Sequence, residues 1–140
     1  MNALTPLYGA SINHADAKRA MGAAAAAALE RGWPMVIAIV DAAGRLVLFE
    51  RLDQAQLGSV EVAQRKAETA AAFRRPTAAF QQTLGEGGVH LRLLAMANVM
   101  PLEGGLPLTR DGAVVGAIGV SGMRSDQDVE IAQIGAAALE

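Results

Sequence analysis

Between Asn13 and Gly32 the chain is almost wholly small and apolar. Charge is confined to Asp16, Lys18 and Arg19 near the start and to Glu30 and Arg31 at the far end. That pattern predicts a helix. The Asn13 side chain is suited to cap it, Asp16 stands where the acid of a capping box would be, and Gly32 stops it. Six consecutive alanines, Ala23–Ala28, combine the strongest helix propensity with a very small side chain. The helix is therefore expected to lie very close to a sheet or another helix. The run is too short to span a bilayer.

The period then changes. Met35 to Val40 is a continuous apolar run, which predicts a strand covered on both faces. Asp41-Ala42-Ala43-Gly44 is a turn signal. The partly alternating segment Arg45–Arg51 reads as the paired strand of a hairpin. A helical period returns over Ser59–Phe73, on three faces. Val60, Ala63, Ala67, Ala70 and Ala71 form an apolar face. Glu61, Arg65, Glu68 and Ala72 form a solvent face, with Glu61 and Arg65 in the favourable i,i+4 order. Val62, Lys66, Thr69 and Phe73 form the third, which either packs on a neighbouring subunit or lines a pocket. Pro76 ends the helix, and Thr77 is expected to cap a short one through Leu84.

Gly85–Glu103 has glycines near its start, a short apolar helical piece in its middle, and reads as a loop or lid. A second hairpin follows, Leu106–Thr109 and Ala113–Val120, around the strong turn dipeptide Asp111-Gly112. Gly116 and Gly119 inside that strand predict a bulge or a close approach, with the alanine-rich helix as the expected neighbour. Ser125 is expected to cap the last helix, with Asp128 in its first turn and Ile131, Ile134 and Ala138 as its buried stripe. Two hairpins separated by helices imply a mainly antiparallel sheet in an α/β unit of the α+β type. One domain over residues 1–140 is expected, with 1–12 as an N-terminal arm.

Composition sharpens the picture. Of 140 residues 52% are hydrophobic and 19% charged. That is too apolar for disorder and suggests subunit interfaces. The net charge is −2 with no basic cluster, so no nucleic-acid partner is expected. Cysteine is absent, which excludes disulfides, thiolate nucleophiles and cysteine-held metals. No secretory signal or membrane span is read in the N-terminal region, and a cytoplasmic location is expected.

The segments VIAIVDAAGRLVLFERLD, SVEVAQRKAETAAAF, RPT and GGLPLTRDGAVVGAIGVSGMRSDQDVEIAQIGAAAL, in this order and spacing, resemble the GlcG/HbpS family. Its members are haem-binding or haem-degrading proteins, and the same domain type forms the C-terminal part of PduO-like proteins. The likeness runs from about Asn13 to Leu139. It implies a profilin-like, three-layer α/β/α fold, homo-oligomers from dimer up to octamer, and haem or corrinoid binding in some members. The KAETA segment matches the family's KA.TA helix and carries Lys66 and Thr69. Gly104-Gly105-Leu106-Pro107 matches its GG.P element, and Ser121-Gly122 its GVSG element. His90 sits in no matched motif.

Two histidines are available. His14, at a helix start, is held toward the neutral form that ligates iron. His90, on the glycine-rich loop, is the preferred candidate for an axial ligand or an acid–base group. Met96, Met100 and Tyr8 are further axial candidates. Lys66 and Arg75 suit a carboxylate such as a haem propionate, and the Gly104-Gly105 amides suit an anion. Asp126, Asp128 and Glu130 are expected to serve the helix dipole, with no metal. Two functions stay open. The first is a haem or tetrapyrrole-binding homo-oligomer using His14, Lys66, Thr69, His90, Gly104, Gly105, Ser121 and Gly122. The second is a cofactor-independent isomerase, tautomerase or lyase, with Lys66 and Arg75 holding a small carboxylate and His90 moving the proton.

Overall fold

The computed structural model describes residues 5–139. The first four residues of the expected N-terminal arm, and Glu140 at the expected domain end, lie outside the described residues. The elements are α1 (His14–Arg31), β1 (Val36–Asp41), β2 (Leu46–Arg51), α2 (Ser59–Phe73), α3 (Thr77–Gly85), a 3₁₀ helix (Gly88–Ala95), β3 (Gly105–Arg110), β4 (Ala113–Ser121) and α4 (Ser125–Ala137). The strands form one antiparallel sheet in the order β2-β1-β4-β3.

Because strand side chains alternate, β1 feeds two cores. Ile37 and Ile39 join α1 and α4 on one face. Val36, Ala38 and Val40 join the alanines of α2 on the other. The result is the three-layer α/β/α arrangement, with α1 and α4 below the sheet and α2 above it. The alanines of α1 serve the approach of α4: a Cβ at Gly135 would lie 3.2 Å from both the Ala20 carbonyl oxygen and the Ala24 methyl.

The neighbour of Gly119 differs from the expectation. A side chain there would overlap the Ala63 carbonyl of α2, not α1. Gly105 is its cross-strand partner, and a Cβ at that position would collide with the Lys66 carbonyl. The α2 backbone thus rests on a pair of facing glycines, as only residues without a Cβ allow. Of the arm, Leu7 and Gly9 bond Val114, and Ile12 bonds Val115, close to where the β3–β4 register shifts. Asp111 and Gly112 both take positive φ, 52° and 78°, which a two-residue hairpin turn requires.

Several caps are corrected. Asn13 does cap α1, accepting from the Asp16 amide at 2.8 Å. The Asp16 carboxylate closes no box; it is taken by Arg19 and Arg110. Pro76, not Thr77, precedes α3 as its cap residue. Arg124, not Ser125, holds that place before α4, and Ser125 Oγ donates to Glu103 at 2.9 Å. Arg65 donates to the Ala97 carbonyl at 3.0 Å and forms no ion pair with Glu61. Asp16, Thr77, Ser125 and Arg65 each gain a tertiary partner: Arg110, the Gly105 amide, Glu103 and the Ala97 carbonyl.

Candidate functional site

Family-matched positions gather in a buried polar seam where α2 crosses the ends of β3 and β4. Lys66, on the third face of α2, is 2% exposed. Its ammonium donates to the Val120 carbonyl at 2.8 Å and to Asp128 Oδ2 at 3.0 Å. Asp128 Oδ1 accepts from the Met123 amide at 3.1 Å. Asp128 is therefore not a solvent acid serving the dipole of α4 but the partner of a buried lysine within the same chain. Burial holds the Lys66 ammonium below its usual range, against the pull of Asp128. Burial also pushes the Asp128 carboxyl up, against the pull of Lys66.

Gly104, at φ 126°, leaves the space the Lys66 ammonium occupies: a Cβ would lie 2.7 Å from Nζ. The Gly105 amide donates to Thr77 Oγ1 at 2.9 Å, so it is engaged inside the fold. Ser121 Oγ donates to Ser59 Oγ at 3.0 Å. Gly122, at φ 152°, leaves room for the Pro34–Met35 backbone: a Cβ there would lie 2.6 Å from the Pro34 carbonyl oxygen. Thr69, 1% exposed, donates to the Arg65 carbonyl at 2.7 Å and accepts from the Met100 amide at 2.9 Å. It thereby ties the segment before β3 to α2. The seam's polar groups satisfy one another, and no buried side-chain nitrogen or oxygen among the described residues lacks a partner. It has the chemistry of a structural lock.

The remaining candidates lie apart from the seam. Arg75 is exposed, donates to the Phe73 carbonyl at 3.2 Å and stands 5.7 Å over the Phe80 ring. His90 is half-buried on the 3₁₀ helix, with Nε2 3.4 Å from Glu86. Tyr8 donates to the Ala71 carbonyl at 2.6 Å. Four surface cavities stand out among the described residues, and Lys66, Arg75 and His90 line none of them.

His14 is placed differently. It is the first residue of α1, exposed, and it lines a groove of about 340 Å³ between α1 and β2. Met21 and Leu48 supply apolar walls, Gly22 leaves the α1 side open, and Lys18 and Glu50 bring charge. Lys18 lies one helical turn from His14, on the same face. That i,i+4 relation was available in the sequence. The opposite wall was not, because β2 joins it only through the sheet.

The comparisons with known proteins agree with this architecture. The family model described as haem degrading protein HbpS-like matches residues 12–137. An uncharacterised 15.0 kDa protein of the dhaT-dhaS intergenic region of Citrobacter freundii is 35% identical over 126 residues, 89% of either chain. Corrinoid adenosyltransferase PduO of Salmonella typhimurium is 36% identical over 108 residues, which are 76% of this chain and only 32% of that enzyme. Among solved structures, a PduOC:heme complex superposes with a TM-score of 0.83 at 33% identity, covering 91% of this chain and 94% of the other. A double mutant of Streptomyces reticuli HbpS superposes at 0.86 and 31% identity, covering 100% and 94%.

Proposed function

The chain belongs to the HbpS-like family, and on that footing we propose that it is a haem-binding protein in which His14 would hold the iron. The observation that carries this reading is His14 on the rim of an apolar-walled groove, with Lys18 one turn along. The residues fit the group. An exposed imidazole with no hydrogen-bond partner among the described residues is free to ligate iron. The partly exposed Leu48 side chain, backed by the core residue Met21, suits a tetrapyrrole face, and the Lys18 ammonium suits a propionate. Haem would supply iron-centred ligand or redox chemistry; this chain supplies an imidazole nitrogen, an apolar wall and a cation. The solved heme complex of a structural relative supports the same class of ligand.

The geometry favours His14 over His90, whose ring faces Glu86 and lines none of the four cavities. Self-association is part of the proposal, since Leu29, Leu57, Val89 and Leu94 are each at least 65% exposed. Titration with hemin tests the reading. Saturable Soret binding that His14→Ala abolishes and His90→Ala retains is expected. No saturable change, or an unaltered His14→Ala titration, overturns it. The carboxylate-enzyme reading has less support, because Lys66 is already spent on Asp128.

A further inference from the structure

A second cavity, of about 250 Å³, lies on the opposite layer, between α2, the β1–β2 turn and the Ala97-Asn98 segment. It is below the roughly 300–1,000 Å³ of drug-sized ligand sites and suits a smaller molecule. Its floor includes Ala72 and the Gly44 turn, and its polar wall is Arg65, Glu68, Thr69 and Asn98. Arg65 and Glu68 carry opposite charges less than one helical turn apart, a spacing at which such side chains can pair. They do not: neither has an ion-pair partner among the described residues. Arg65 is held instead by its bond to the Ala97 carbonyl at 3.0 Å. A guanidinium has five N–H donors, so donors remain for another acceptor. Thr69 bridges the Arg65 carbonyl and the Met100 amide, which fixes the wall and leaves recognition to the two charged groups and the exposed Asn98 amide.

We propose that this cavity binds a small zwitterion of the amino-acid class, its carboxylate on Arg65 and its ammonium on Glu68, with Asn98 hydrogen-bonding at the rim. A guanidinium and a carboxylate that line one cavity without pairing suit a ligand that itself carries both charges, two to four bonds apart. A monoanion would leave Glu68 repelling it, and a monocation would leave Arg65 doing so. The site is independent of the haem groove, since the two share no residue.

The experiment is amide NMR on the full chain, titrated with glycine, β-alanine and γ-aminobutyrate, with propionate and propylamine as singly charged controls. Saturable shifts at Arg65, Glu68, Ala97 and Asn98, about tenfold tighter for the best zwitterion than for either control, are expected. Arg65→Glu and Glu68→Arg should each weaken binding about tenfold, and the charge-exchanged double variant should restore it with the ligand reversed. Three results overturn the proposal. One is the absence of a saturable shift across the millimolar range, and another is propionate binding as tightly as the best zwitterion. The third is reversal variants that alter oligomer size and leave zwitterion binding unchanged. Hemin titration of the same variants should be unaltered, so the two readings fail separately.

Discussion

Lys66 and Asp128, 62 residues apart in the chain, meet at 3.0 Å with both side chains almost fully enclosed. The bond joins α2 directly to the first turn of α4. Removing one member leaves the other as an uncompensated buried charge, which costs about 3–5 kcal/mol. Asp128→Asn should therefore lower stability to urea by about that amount. Replacing both together, as Lys66→Met with Asp128→Leu, should recover much of the loss. A double variant no more stable than the single would refute the pairing energetics.

The pair also sets a pH signature. Asp128 holds its proton more tightly folded than unfolded. Its contribution to stability therefore falls as pH rises from the ordinary carboxylate value to the raised one. Lys66 holds its proton less tightly folded, so its contribution rises between the lowered value and the ordinary lysine value. The double replacement should remove both slopes from the stability–pH curve, read by thermal melts.

Asp16 behaves in the opposite sense. Hydrogen bonding from Arg110, aided by Arg19, holds its carboxyl below the usual range against some burial. Its stabilisation is present above the unfolded carboxylate value and is lost as pH falls through the depressed one. Asp16→Asn should flatten the acid limb of the melting curve, and Arg110→Gln should do so partly.

Gly119 faces the Ala63 carbonyl, so Gly119→Ala forces α2 off the sheet. A loss of at least the roughly 1–3 kcal/mol of an overpacked core is expected. Gly22, exposed on α1 with open space at its Cβ, should do the reverse: Gly22→Ala gains about 0.5–1 kcal/mol. Equal effects of the two in denaturant titrations would contradict the packing described.

Thr77 is fully buried and receives the Gly105 amide. Thr77→Val keeps the shape but leaves that N–H unsatisfied, so a loss of about 1–3 kcal/mol is expected. Amide exchange at Gly105 should accelerate; unchanged protection would show that the hydroxyl is dispensable.

Lys18→Glu should weaken hemin binding without changing the melt, because the side chain is exposed. A surface ion pair carries up to about 1 kcal/mol, or roughly fivefold in affinity, and reversal exceeds simple loss. Hemin affinity unmoved by the reversal would separate Lys18 from the groove's function.

The sequence by itself determined the elements. The bounds of α2 agree with its apolar period, Asn13 and Gly32 delimit α1, and Asp111-Gly112 turns the second hairpin, because periods, caps and turns are set within a few residues. The sheltered third face of α2 was also legible, since Lys66 and Thr69 interrupt an apolar stripe. What covered that face was not. Asp128, Thr77 and Ser59 acquired their partners only when the sheet brought α2 against β3, β4 and the start of α4, across separations that no local pattern encodes. The same holds for the His14 groove, whose second wall belongs to β2. Thr77, chosen from propensity as a cap, holds the Gly105 amide instead, because a buried polar group needs a partner more than an exposed helix end does.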